Sequence, residues 1–311
     1  QHAKLASYSD HDLATTIWAV ANMTCPKPAG RIFVEELVDA ACKQPTFAPQ
    51  GLSMTLWACA TFAATTLELP NDKVLAALLP QVIAAADSFN PQGASNILWA
   101  LATMDAHART RIAYSAEAGV TATEAGLLTV ESLSNALANK LLDCNGQDIA
   151  NALWALATLR QMGSGRLVQK VCNSFLDLPL QSFSAQNCAN LLWALTHQGK
   201  EPSSEGFICA VAERASQLVD WDEQSLSISV WALAVLGQRS ASLPLLTSVP
   251  SDLDKLRAFS SESLSVFAWT CGLLGVKTHP TPMLAIIVRD RAETLTVDHA
   301  TSILLAFARI W

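Results

Sequence analysis

The chain has 311 residues, 51% of them hydrophobic and 15% charged, with a mean hydropathy of +0.27. That apolar share excludes intrinsic disorder and low complexity, and the length accommodates two average domains or one elongated repeat array. A net charge of −7 excludes the overall basic field that usually marks a nucleic-acid binder.

Internal repetition organises the rest. The segments LATTIWAVA, LSMTLWACA, ASNILWALA, IANALWALA, CANLLWALT, LSISVWALA and LSVFAWTCG align without gaps on Trp18, Trp57, Trp99, Trp154, Trp193, Trp231 and Trp269. The intervals are 39, 42, 55, 39, 38 and 38 residues, and an eighth copy follows 36 residues later with Leu305 in the Trp position.

Each copy predicts a helix with its own start and stop. Nine residues before the Trp position stand Ser9, Ala48, Asn90, Asn145, Ser184, Asp222, Ser260 and Thr296. All but Ala48 carry a side-chain oxygen that can accept an orphan N–H at a helix start. Pro49 and Pro91 follow at the first helical position, where a missing N–H costs nothing. Gly199, Gly237 and Gly275, six residues after the Trp, suit a left-handed C-cap. A second helix is predicted between copies, at about Ile32–Lys43, Asp72–Ser88, Leu167–Leu178, Phe207–Val219 and Met283–Glu293, where apolar residues recur at intervals of three and four.

The first helix is apolar around most of its circumference, which predicts that it is sandwiched between neighbours. Positions four before, one after and three after the Trp are nearly always Ala, Ser, Thr or Gly, sizes that let helices approach closely. The indoles are expected to fill the space between layers, with Trp→Ala costing about 3–5 kcal/mol. One unit cannot bury its own faces, so units stack. The predicted fold is all-α: a right-handed α-solenoid of about seven helix–turn–helix repeats plus a terminal helix, forming a single domain over 1–311. The 55-residue interval predicts a surface insertion at about 106–124.

The eight cysteines are scattered with no C-x-x-C pair, and several lie in apolar runs such as Trp57-Ala58-Cys59-Ala60. They read as buried free thiols of a reducing compartment. No apolar run reaches the length of a membrane span. The first residue is Gln1 rather than Met, which reads as a mature or trimmed product whose targeting peptide is gone.

Period and motif together resemble the octotricopeptide repeat family of organellar helical-repeat proteins. The pattern Gln-x-x-x-Asn-x-Leu-Trp-Ala-Leu-Ala carries the resemblance, cleanest over Gln92 to Ala102, Gln147 to Ala157 and Gln186 to Leu195. Tetratricopeptide and pentatricopeptide units are shorter and armadillo units longer. The resemblance implies sequence-selective RNA binding in a chloroplast or mitochondrion, or a place in an organellar ribonucleoprotein. The acidity of this chain departs from that pattern.

If the first helix lines the ligand face, its polar stripe falls six before, three before and four after the Trp. The members are Asp12, Thr15 and Asn22; Gly93, Asn96 and Thr103; Asp148, Asn151 and Thr158; Asn187, Asn190 and His197. Short amides and hydroxyls in register suit the edges of unstacked bases, about one base per repeat. The identical Asn96, Asn151 and Asn190 equally suit bonds to a neighbouring backbone, which makes the variable Asn22, His197 and Arg309 the better readers. The turns after the first helix carry Lys27 and Arg31, Arg109 and Arg111, Arg160 and Arg166, Lys200, Arg239 and Lys277. Stacked, these turns form a basic rim that a phosphate backbone can follow. The opposite turns hold Asp87, Asp143, Asp177, Asp220, Asp222, Glu223 and Asp298, an acidic edge that equally suits helix N-termini.

No catalytic motif is complete. Gly272-Leu-Leu-Gly275-Val-Lys277-Thr278 has the wrong glycine spacing for a phosphate loop, and Gly163-Ser-Gly165 follows no strand. The expectation is a non-enzymatic module without cofactor or metal, binding single-stranded RNA or ribosomal RNA. The alternative is a protein–protein scaffold or accessory subunit of a large organellar complex. The last copy ends without a second helix, so Leu305, Phe307 and Trp311 are expected to form a contact site.

Overall fold

The computed structural model describes residues 7–23, 28–64, 71–111, 123–162, 166–198, 204–250, 252–276, 280–291 and 293–310, with the side chains of 28–31, 71, 107–111 and 280–281 left aside. The architecture is all-helical, and no strand occurs among the described residues. The chain divides into two compact units, Gln1–Val171 and Cys172–Trp311.

The first unit runs α1 (Asp10–Asn22), α2 (Pro28–Cys42), α3 (Pro49–Ala64), α4 (Asn71–Ala84), α5 (Pro91–Arg111), α6 (Glu124–Asn139) and α7 (Gly146–Thr158), with α8 (Arg166–Asn173) spanning the boundary. The second runs α9 (Ala185–Thr196), α10 (Glu205–Ser216), α11 (Glu223–Val235), α12 (Arg239–Thr247), α13 (Leu253–Arg257), α14 (Ser261–Leu274), α15 (Pro280–Asp290) and α16 (Val297–Ile310). Motif helices pack on motif helices, α1 on α3, α3 on α5 and α5 on α7 in one unit, and α9 on α11, α11 on α14 and α14 on α16 in the other. The connecting helices pair likewise, α2 with α4 and α4 with α6, then α10 with α12 and α13 with α15. The expected insertion lies largely outside the described residues, between the end of α5 at Arg111 and the start of α6 at Glu124.

Every polar cap expected from the motif is made. Ser9, Asn145 and Ser184 form reciprocal capping boxes with Asp12, Asp148 and Asn187. Asp222 and Ser260 accept from Ser225 and Ser263, Asn90 from Gly93, and Thr296 from His299. Ala48 has no side-chain oxygen, and its own N–H donates to the Asp10 carboxylate at 3.1 Å. Glu223 does the same for the Ser260 N–H at 2.7 Å, so acids at the start of one motif helix bind the next.

Burial follows the small residues. Ala19 is exposed, whereas Ala58, Ala100, Ala155, Ala194, Ala232 and Thr270, one residue after the Trp in every copy but the first, are completely buried. So are Leu56, Leu98, Leu153, Leu192, Val230 and Ala268, one residue before it. The closest approach is at Gly272, where an added Cβ would stand 2.8 Å from the Ala306 Cα of α16. The indoles themselves are not core. Trp18 is 43% exposed, and Trp57, Trp99, Trp154, Trp193, Trp231 and Trp269 are only half-buried. The expectation that they fill the space between layers holds in part: apart from Trp18 most of each indole is covered, while some of it stays at the surface.

Below the motif helices, long polar side chains bind the turn that precedes them. Lys140 Nζ donates to the carbonyls of Asp87 and Phe89, both at 2.7 Å, Arg214 Nε to Phe183 O at 3.1 Å, and Arg291 Nη1 to Phe259 O at 2.8 Å. Gln44 Nε2 reaches Tyr8 O at 3.3 Å. The seven described cysteines are free, and burial pushes Cys59, Cys144 and Cys188 up to about 12, so they pack as neutral thiols.

Two outcomes test this packing. Gly272→Ala is expected to lower the unfolding free energy by about 1–3 kcal/mol, because the obstruction is backbone and cannot rotate away; an unchanged urea midpoint would contradict the close approach. Asp148 is buried, and that burial raises its pKa above the ordinary carboxylate value, against hydrogen bonds from Asn145 and Ser95 that lower it. A raised folded pKa gives stability that is complete below the ordinary value of 3.8 and lost as pH rises through the folded value. Asp148→Asn, the residue type used at Asn187, is therefore expected to gain on the parent chain as pH rises from acid to neutral in a series of urea titrations.

Candidate nucleic-acid interface

Which face of a motif helix is open follows from its period. The residues immediately before and after the Trp bury against neighbours, leaving the stripe seven before, three before, at and four after the Trp. On α5 the stripe is Gln92, Asn96 and Trp99, with Thr103 at its end buried; on α7 it is Gln147, Asn151, Trp154 and Thr158; on α9 it is Gln186, Asn190, Trp193 and His197. The glutamines are exposed, and the asparagines and indoles are half-buried. The position six before the Trp drops out of the stripe. Gly93 and Asp148 there are buried, and Asp12, Asp148 and Asn187 serve the capping boxes.

The asparagine side chains differ from what a purely structural role requires. Asn96, Asn151 and Asn190 make no side-chain hydrogen bond to any described residue, and neither do Gln92, Gln147 and Gln186. Each helix therefore offers two uncommitted amides on either side of one turn and an indole beside them. Neighbouring indoles meet: Trp57 and Trp99 stack with centroids 6.3 Å apart and planes at 27°. Between α3 and α5 this face opens into a cleft of about 620 Å³ lined by Trp18, Gln50, Ser53, Met54, Gln92 and Asn96. That volume is within the range of small-ligand sites.

The variable positions are more committed. Asn22 Nδ2 donates to its own helix at Trp18 O, 2.8 Å away. His197 Nδ1 lies 3.0 Å from Trp193 O, and its ring packs on the Trp193 indole at 4.3 Å. Nδ1 also lies 3.0 Å from the Thr196 hydroxyl, so this nitrogen is engaged within its own helix. The guanidinium of Arg309 lies over Trp269, 5.0 Å from the ring centroid, a cation–π contact.

The expected basic rim divides into spent and unspent charges. Arg239 Nη1 donates to Leu274 O at 2.6 Å, holding the end of α14. Arg109 and Arg111 lie at the end of α5 with side chains outside the description, and Lys200 and Lys277 lie outside the described residues. Among the described cations, Arg160, Arg166 and Lys255 alone have no hydrogen-bond, ion-pair or ring partner. Arg160 is also strained. It occupies φ 59°, the left-handed slot that Gly237 and Gly275 fill in other copies, and the N–H of Gln161 closes the turn onto Leu156 O at 2.8 Å.

Treating the indole as core hides the glutamines from a sequence-based site, although the spacing Gln-x₃-Asn-x₂-Trp-x₃-Thr over 92–103 is the signal that places all four on one face. Among the described residues no three His, Cys, Asp or Glu side chains converge as a metal site. No described helix is long and apolar enough to cross a membrane. The chain matches no known family model, and no curated protein matches it.

Arg160→Gly is expected to raise the unfolding free energy by about 1 kcal/mol, by relieving a left-handed conformation that a Cβ disfavours. An unchanged or lower midpoint in urea would mean that the turn holds no such strain.

Proposed function

We propose that this chain is a non-enzymatic helical-repeat module that binds single-stranded RNA, an organellar transcript or ribosomal RNA, through the open face of its motif helices. The reading extends the fold to a right-handed solenoid of about seven helix–turn–helix repeats, and the resemblance of the Trp-centred motif to octotricopeptide repeats supports it. One observation carries it: the uncommitted amides of Gln92, Asn96, Gln147 and Asn151 beside partly exposed indoles.

The chemistry of that pairing suits unstacked bases. An indole face stacks on any base, for about 1–3 kcal/mol each. A side-chain amide presents a donor and an acceptor to a base edge, which discriminates among bases where stacking does not. The four stripe positions carry no carboxylate in the first six copies, so the net charge of −7 does not oppose a phosphate there. Arg160 and Arg166, both exposed in the turn after α7, are the unspent cations next to the Trp154 stripe.

Binding to a pool of single-stranded RNA, titrated against salt, tests the proposal. Affinity is expected to fall as salt rises, and Arg160→Glu with Arg166→Glu to weaken it and flatten the slope by about 1.4, at ~0.7 per phosphate contact. Trp57→Ala with Trp99→Ala is expected to weaken binding about tenfold or more without abolishing the salt dependence. Affinity that is absent at low salt, or indifferent to salt and to these variants, would overturn it.

A further inference from the structure

The same stripe changes character in the second unit. Four residues after the Trp stand Asn22, Thr61, Thr103, Thr158 and His197 in the first five copies, then Val235 and Leu273, with Arg309 in the eighth. Three residues before it, Asn96, Asn151 and Asn190 give way to Ile228 and Val266. Because α11 packs on α14 and α14 on α16, these positions merge into one surface. Val235 is 44%, Leu273 41% and Leu305 50% exposed, around the half-buried Trp231 and Trp269, the latter ring lying under the guanidinium of Arg309.

This surface is unfavourable as free surface in two ways. Thr61 and Thr158 donate their hydroxyls to the carbonyls of Trp57 and Trp154, at 3.0 and 2.9 Å. Val235 and Leu273 make no such bond and place hydrocarbon in water instead. Contiguous exposed apolar residues with a polar border mark interaction sites rather than random surface composition.

The border identifies the occupant. Seven residues before the Trp, the uncharged Gln50, Gln92, Gln147, Gln186 and Gln224 are followed by Glu262 and, in the eighth copy, Asp298. Both are exposed, and neither carboxylate has an ion-pair partner among the described residues. Fixed negative charge along one edge repels a phosphate backbone and attracts ammonium and guanidinium groups. We propose that the open face of α11, α14 and α16 docks a basic amphipathic segment of another protein, with apolar side chains on Ile228, Val235, Val266 and Leu273 and Lys or Arg beside Glu262 and Asp298. This surface is independent of the RNA reading, which rests on other helices.

A synthetic amphipathic helix, Leu on one face and Lys on the other, is the probe, with a Leu/Glu helix of the same pattern as its counterpart. Binding to the full chain is followed by anisotropy. The Leu/Lys peptide is expected to bind and the Leu/Glu peptide not to. Val235→Thr with Leu273→Thr, which restores the residue type of earlier copies, is expected to weaken binding about tenfold or more. Glu262→Gln with Asp298→Asn is expected to weaken it and to remove its salt dependence. Absence of Leu/Lys binding, or equal binding to the Val235→Thr, Leu273→Thr chain, would overturn the proposal. So would a dimer that those two substitutions dissociate without any peptide binding, since a second copy would then be the occupant, and so would loss of RNA affinity in place of peptide affinity. RNA binding that fails while peptide binding persists removes only the RNA reading.

Discussion

The close approach of motif helices on Ala, Ser and Gly decides where every other group goes. A helix flanked on both sides at this distance and backed by a second layer keeps one narrow stripe open. At the tightest point not even a methyl group fits, as the Cβ clash at Gly272 against Ala306 shows. Beside the Trp the apolar filling is branched aliphatic, from Leu56, Leu98, Leu153 and Leu192, with Phe62 and Phe267 buried elsewhere on the motif helices, and the indole lies across the rim. A residue that would be the centre of most cores becomes the floor of a surface. Trp57 stacked on Trp99 shows how such rims join from helix to helix within a unit.

Charge is spent on holding the turns. Lys140, Lys170, Arg214, Arg239 and Arg291 all donate to backbone carbonyls, and Lys43, Lys73, Arg257 and Arg289 pair with Asp39, Asp254 and Asp290. Paired exposed charges add little stability, but hydrogen bonds from a cation to partly buried carbonyls satisfy groups that would otherwise be costly to bury. Net charge is therefore a poor guide to this molecule. What matters for a ligand is which cations have no internal partner: Arg160 in its left-handed turn, Arg166 at the start of α8, and Lys255. Strain retained where glycine would relieve it belongs to positions under a demand other than folding.

Local signals were legible from the sequence and facial ones were not. Seven polar caps, two prolines at first positions and the glycine stops at Gly237 and Gly275 rest on a residue's own backbone, so type and offset suffice to place them. Arg160 escaped that logic, because its left-handed conformation is imposed by the turn rather than preferred by the residue. The depth of the indoles escaped it too: hydrophobicity says that a ring avoids water, while the packing distance set by its small neighbours says how far it gets. Lys140 reaching Phe89 O joins residues 51 apart, a pairing with no trace in local pattern.

A scaffold with these properties separates stability from recognition. The rows that bury are nearly uniform from copy to copy, Leu or Val before the Trp and Ala after it, whereas the open stripe runs from amides at Asn96 and Asn151 to aliphatics at Ile228 and Val266. Substitution on the open stripe leaves the interhelical contact untouched, so its chemistry can change from one helix to the next at small cost to folding. An uncharged amide stretch and an acid-bordered apolar stretch can then coexist on one face type. The two stretches differ in charge: exposed carboxylates at Glu262 and Asp298 disfavour an anion, and Gln92 and Gln147 offer a cation no charge to pair with.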